Sequence, residues 1–141
     1  MPILEYHLVE NQYSDTQFER LLVESSRLYA AVLKCPIDRV RVLIHLDKPT
    51  MAATAGVLVS RGGQPAPYFY FLALQGRSVE ERHALLSGFT DLVVDTRGVE
   101  RGLVRGGCWP IPAEDWAIGG TPASVMRAAE VRAREQAQGT G

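Results

Sequence analysis

The feature that most constrains this chain is a strand–helix–strand pattern that occurs twice. Ile3–Val9 is rich in β-formers and places Leu4, Tyr6 and Leu8 on one face. Ser14 then offers an N-cap with Gln17 three residues on, the capping-box arrangement in which two orphan backbone N–H groups are satisfied reciprocally. Phe18, Leu21, Leu22, Ser25, Leu28 and Val32 follow at helical spacing and predict a helix of about five turns, which Pro36 ends. Residues 39–46, RVRVLIHL, read as a buried or half-buried strand. Residues 47–67 carry Pro49, Gly56, Gly62, Gly63, Pro65 and Pro67 around one short apolar run, and read as loop, short hairpin strand and linker. The plan then returns. Tyr68–Leu74 is a strand, Ser78 with Glu81 is a second capping box, and Leu85, Leu86, Phe89, Leu92 and Val93 stripe a second helix that stops near Gly98. A weaker strand follows over 102–109. Pro2 aligns with Pro67, and Ser14 with Ser78 after a gap of one.

Two similar halves argue for a duplicated unit, about 2–60 and 67–118, within one domain spanning 1–141. Each crossover joins parallel strands and is right-handed. The expected fold is α/β in composition and α+β in arrangement: a duplicated β-α-β unit forming a four-stranded sheet with two helices on one face, plus short hairpin strands. Thr121-Pro122, an N-cap with proline at the first helical position, predicts a C-terminal helix over about 122–135, and residues 136–141 read as a disordered tail.

Composition narrows the function classes. At 46% hydrophobic and 22% charged, with net charge −1, the chain gives no electrostatic reason to expect nucleic acid or an anionic membrane. No apolar run approaches the roughly 20 residues of a membrane span, and the N-terminus lacks the pattern of a signal peptide, so a cytoplasmic location is expected. Cys35 and Cys108 are too few for a disulfide framework; Cys35 reads as a small hydrophobe at a helix end and Cys108 as structural, with a reactive thiol near the pocket as the alternative. His7, His45 and His83 lack metal-ligand spacing and no CxxC occurs, so no metal is expected, and His45 reads as a hydrogen-bonded core residue. Gly119-Gly120-Thr121 is a weak anion-binding signal at a helix start. No nucleotide fingerprint is present and no cofactor is expected.

The residue of most chemical consequence is Pro2. Removal of Met1 leaves a secondary amine at the chain end. An α-amino group ionises near pKa 7.7–8.0, and burial beside cations lowers it further. Such an amine is a general base at neutral pH without help from histidine.

Three segments then resemble the tautomerase superfamily. Pro36-Ile-Asp-Arg-Val-Arg-Val-Leu-Ile is similar to the second strand of 4-oxalocrotonate tautomerases, and the resemblance places a catalytic arginine at Arg41. Leu74-Gln-Gly-Arg-Ser-Val-Glu-Glu-Arg82 is similar to the family's first strand–helix junction and places a carboxylate-binding arginine at Arg77; the first half departs from that pattern, with Asn11, Gln12 and Tyr13 at the equivalent turn. Among fused members the chain resembles the malonate semialdehyde decarboxylases over nearly its whole length. Asp38 falls on their catalytic aspartate, Gln75 stands where the first arginine of their pair would, and Trp116 with Ile118 falls in an apolar segment lining the pocket. The cis-3-chloroacrylic acid dehalogenases fit less well: their catalytic glutamate falls at about Ala117, their tyrosine near Gly106 and their histidine near Tyr29.

The resemblance implies a small carboxylic-acid substrate held by Arg77, a proton moved by Pro2, an enolate stabilised by Arg41, and assembly as a homotrimer with the site near a subunit boundary. Keto–enol tautomerisation is the expected reaction. Decarboxylation or hydration of a three-carbon acid, drawing on Asp38, is the alternative, and a non-catalytic binding module on the same fold is the third.

Overall fold

The computed structural model describes residues 2–139; the expectations for Met1 and for residues 140–141 lie outside the described residues. Strand β1 (Ile3–Val9) leads into helix α1 (Asp15–Leu33), which returns the chain to β2 (Arg41–Asp47). A short hairpin, β3 (Ala53–Thr54) and β4 (Val57–Leu58), precedes β5 (Tyr68–Leu74), helix α2 (Val79–Arg97) and β6 (Arg105–Ile111). A second hairpin, β7 (Ala117–Ile118) and β8 (Thr121–Pro122), is followed by α3 (Ala123–Met126) and α4 (Ala128–Gly139).

The sheet order is β2-β1-β5-β6, with β1 parallel to β2, β5 parallel to β6, and β1 antiparallel to β5 where the two units meet. Alternation along the strands decides which face is covered. Leu4, Tyr6 and Leu8 of β1 and Phe69, Phe71 and Ala73 of β5 are buried beneath the helices. Helix α1 buries Leu21, Ser25, Tyr29 and Leu33, and α2 buries Leu85, Phe89, Val93 and Thr96, in each case one residue per turn. The core centres on edge-to-face rings: Phe89 meets Tyr29, Phe69 and Phe71 at 5.3–5.8 Å. Two hydroxyls inside it are satisfied, Tyr6 by Ser25 at 2.7 Å and Tyr29 by the Leu72 carbonyl at 2.5 Å.

Both capping boxes are formed, at Ser14 with Gln17 and at Ser78 with Glu81. The helices end in left-handed residues, Lys34 at φ 52° and Gly98 at φ 76°, so Pro36 lies beyond a helix already closed.

The duplication runs further than the alternating pattern indicates. Asp15 and Val79, Arg41 and Arg105, and Ala53 and Ala117 all stand 64 residues apart at equivalent points. The segment read as loop, short hairpin strand and linker holds that hairpin, the second unit repeats it, and both hairpins turn through paired positive-φ residues, Ala55-Gly56 and Gly119-Gly120. The predicted C-terminal helix divides accordingly. Its first turn, α3, is the counterpart of a single helical turn at Val59–Arg61, and α4 is an appendage outside the repeat. That appendage continues to Gly139, so residues 136–139 are helical where a disordered tail was expected.

Two further expectations change. Strand β2 lies at the sheet edge with only Val42 and Ile44 turned toward the core, because a strand with one neighbour and one covered face cannot be buried throughout. His45 is accordingly exposed: it stacks on His7 at 4.8 Å on the face away from the helices, with Nε2 2.7 Å from a Glu5 carboxylate oxygen.

Candidate active site

Pro2 is buried at the start of β1, and its carbonyl accepts the Arg41 backbone N–H at 3.0 Å, which sets the first rung of the β1–β2 ladder. The pocket around it is lined on the core side by Leu33, Ala73 and Leu74, at the rim by Arg39 and Arg77, and on the far wall by Trp116 and Ile118 of the second hairpin region. Arg127, at the junction of α3 and α4, and Glu130 and Arg134 of α4 close it.

Each element has a local reason to be there. Gly76, at φ 103°, makes the turn that a side chain would strain, and so delivers Arg77 to the pocket at the mouth of α2. Arg77 is nearly covered, and its Nη1 donates to the Leu33 carbonyl at 2.9 Å and to Glu81 at 3.3 Å. It thus ties the last turn of α1, rich in unpaired carbonyls, to the first turn of α2. Arg39 sits in the single helical turn Ile37–Arg39 before β2 and forms a two-oxygen pair with Glu130 of α4 at 3.1 and 3.2 Å. Arg134, one turn further along α4, lies 3.6 Å from the same carboxylate. The Arg134 guanidinium is held below its usual basicity, first by burial and then by the charge of Arg77.

Of the residues singled out from sequence, Pro2, Arg77, Trp116 and Ile118 are brought together in this pocket. Arg41 and Asp38 stand outside it. They line an adjoining, more open cavity of about 620 Å³ that shares Arg39, Trp116, Ile118 and Arg127 with the first. Arg41 is exposed, its Nη1 held by the carbonyls of Asp38 and Val40, and Asp38 is exposed in the turn before it. Gln75 is exposed and lines neither cavity. Tyr29 is a core residue whose ionisation burial pushes far up, and Cys108 is a half-buried thiol that burial also pushes up, so neither is poised for proton transfer or attack. Sequence reasoning missed Arg39, Arg127, Glu130 and Arg134. Arg39 lay within a quoted motif, but only its neighbour Arg41 matched a known role. Glu130 and Arg134 fall in α4, and Arg127 at the junction of α3 with it, and no local pattern records where that segment docks.

The internal counterpart of the site carries different groups. Pro67 occupies the position equivalent to Pro2, and its carbonyl likewise accepts a strand-opening N–H, from Arg105 at 3.1 Å. Its nitrogen lies within the chain as an amide and has no basic lone pair. Tyr13, in the place of Arg77, stacks with Phe18 and lies under the Arg97 guanidinium at 5.5 Å. One half of the duplication thus keeps a cationic pocket, and in the other the residue in the place of Arg77 has become packing.

No protein-family model and no curated protein matches the chain. Solved structures do. A native fused 4-OT superposes with a TM-score of 0.82 at 23% identity, covering 89% of this chain and 98% of that one. Pt0534 inactivated by 2-oxo-3-pentynoate gives 0.81 at 24% identity, over 88% and 98%. The fold is that of the tautomerase superfamily. A more distant likeness, to the macrophage migration inhibitory factor of Toxoplasma gondii, has a TM-score of 0.71 at 13% identity, over 85% and 98%. A fused 4-OT described as a symmetric trimer superposes at 0.79 with 20% identity, over 88% and 98%. Among the described residues no helix is long and apolar enough to cross a membrane.

Proposed function

We propose that this chain is a cofactor-independent tautomerase of a small 2-oxo or enol acid, with Pro2, freed by removal of Met1, as the general base. The observation that carries the reading is the burial of Pro2 in a pocket whose described lining holds the guanidiniums of Arg39, Arg77, Arg127 and Arg134 against the single carboxylate of Glu130. Such surroundings disfavour a protonated amine, which keeps the nitrogen lone pair available near neutral pH. They also favour an anionic ligand, and a planar guanidinium grips a carboxylate through two parallel N–H donors. In this scheme Arg77 holds the carboxylate, Pro2 moves a proton between carbon and oxygen, and Arg39 faces the oxygen on which negative charge develops. Arg41, exposed at the mouth of the adjoining cavity on an edge strand, stands where it would act across a subunit boundary.

Assembly as a homotrimer belongs to the same reading. The sheet face away from the helices carries Tyr68, Tyr70 and Trp109, with Trp109 half exposed and stacked on Tyr70 at 4.4 Å, and β2 adds exposed Leu43 at the edge. Aromatic surface of this kind is what subunits cover.

A lyase reading has one observation in its favour: Asp38 faces a cavity that shares a wall with the Pro2 pocket, where a carboxylate could position water. The test begins with intact mass, which should show a chain beginning at Pro2. A panel of enol and oxo acids followed by ultraviolet absorbance should then show turnover that Pro2→Ala abolishes. The reagent 2-oxo-3-pentynoate, which inactivates Pt0534, is an acetylenic ketone, and a neutral amine adds to its β-carbon without a leaving group. One whole reagent mass should appear on the wild-type chain and none on Pro2→Ala. A chain that retains Met1, or turnover indifferent to Pro2, overturns the proposal.

A further inference from the structure

The α4 appendage lies outside the duplicated unit, yet it seals the pocket on which that unit converges. Two N–H groups in the sealed wall are buried without a hydrogen-bond partner among the described residues: Nε1 of Trp116 and Nη1 of Arg134. A buried donor left unpaired is unfavourable, more so on a charged group, and native structures retain such donors mainly where something binds or reacts. Arg134 is moreover held near Arg77, a like charge in the same lining. The carboxylate of Glu130 accepts two hydrogen bonds from Arg39 and reaches Arg134 only at 3.6 Å, beyond hydrogen-bond length. In this closed arrangement the cavity has about 20 Å³ free, room for about one water. No carboxylate can therefore enter unless a group already inside moves out.

We propose that α4 supplies the second jaw of the acid-binding site: a ligand carboxylate sits between Arg77 and Arg134, accepts the Trp116 indole N–H, and takes the place of Glu130. Glu130 is an internal stand-in, of the same chemistry as the ligand, that pairs with Arg39 and Arg134 while the site is empty. Arg134 is thereby a binding residue and Glu130 a competitor. Release of Glu130 from Arg39 also loosens α4, which is tied near the pocket by Gln138 Nε2 donating to the Gly76 carbonyl at 2.7 Å as well. The adjoining cavity, which shares Arg39, Trp116 and Arg127, gives the displaced side chain and the incoming acid a common route. The inference rests on reading the Pro2 pocket as an acid site, but it does not need Pro2 to be catalytic.

The experiment uses the full chain with Trp109→Phe, so that Trp116 supplies the one indole N–H signal in a nitrogen–proton correlation spectrum. Sodium malonate, unreactive toward a general base, is titrated against sodium chloride of equal ionic strength. Malonate should move the Trp116 N–H signal downfield and saturably, and chloride should not. Glu130→Gln should tighten the apparent affinity by about threefold or more, since a neutral amide competes poorly for guanidinium. Arg134→Ala should weaken it by about tenfold, and Arg134→Lys should recover only a fraction of that loss because a point charge lacks the fork. Far-ultraviolet circular dichroism checks that each variant keeps its helices, and the Glu130→Gln arm stands even if an Arg134 variant does not fold.

Unchanged malonate affinity in folded Glu130→Gln and Arg134→Ala overturns the proposal, as does a Trp116 signal that does not move. The outcomes separate this inference from the tautomerase reading. Pro2→Ala should still bind malonate, so binding without Pro2-dependent turnover leaves the inference standing and the catalytic reading refuted. Pro2-dependent turnover with an unaltered KM in Arg134→Ala does the reverse.

Discussion

Replacing Arg77 by alanine should affect catalysis and stability by separable amounts. In the proposed scheme it removes a charge-assisted pair with the substrate carboxylate, worth about 1.5–3 kcal/mol when the partner is ionised. At 1.4 kcal/mol per decade that is a loss of about tenfold to a hundredfold in kcat/KM. The carboxylate is present in both ground and transition states, so the loss should fall mainly on KM. On the stability side the guanidinium now bridges two helices, with Nη1 2.9 Å from the Leu33 carbonyl and 3.3 Å from Glu81. Its removal leaves the end of α1 without that donor and strips Glu81 of its counter-ion. Glu81 keeps its capping contacts with Ser78, so α2 still starts correctly. About 1–2 kcal/mol of destabilisation is expected from one lost, largely covered hydrogen bond and ion pair. The assay is steady-state kinetics on the best enol acid of the panel beside a urea melt of the same preparation. Arg77→Lys should restore part of the stability, since an ammonium can reach the Leu33 carbonyl, but little of the affinity. An Arg77→Ala enzyme with wild-type KM and reduced stability would show that Arg77 only ties helices together, and would refute its role as the acid-binding group.

Three other outcomes follow from the same structure. Asp38→Asn should leave tautomerase kcat within about tenfold, because Asp38 is exposed and lines the adjoining cavity rather than the Pro2 pocket; loss of most enol-acid turnover in a folded variant would favour the lyase chemistry. Gly106→Ala should destabilise by about 1–3 kcal/mol through overpacking, since its Cβ would stand 2.2 Å from Cζ of the fully buried Phe69 ring, and a thermal melt unchanged from wild type would contradict this. Burial pushes the ionisation of Tyr6 and Tyr29 well above the ordinary tyrosine value near 10, so their contribution is complete below that pH and is lost as pH rises above it, at about 1.4 kcal/mol per pH unit for each tyrosine. Urea midpoints should therefore fall between pH 9 and pH 11, while Tyr6→Phe should flatten that fall; equal midpoints at both pH values would refute the assignment.

The fold was legible because its determinants are local or periodic. Two capping boxes at Ser14 and Ser78 and two strands of alternating burial need only near neighbours to be recognised, and the sheet with helices on one face follows from their repetition. Pro2 stood out by its place in the chain and Arg77, Trp116 and Ile118 by resemblance to family motifs, and the chain path carries all four to one pocket. Tertiary structure alone decided the rest. Whether β2 is central or an edge is a matter of which strands find partners, and the edge position exposed His45 and left Arg41 beside the pocket instead of in it. A helix such as α4, polar on most of its surface, has no apolar stripe to announce what it packs against. Its place is set by charge pairing across 91 residues of sequence, Glu130 with Arg39, and by Gln138 on the Gly76 carbonyl 62 residues away. Interactions at such separations leave no period or spacing in the sequence, so the arginines that close the site became visible only once the chain was folded.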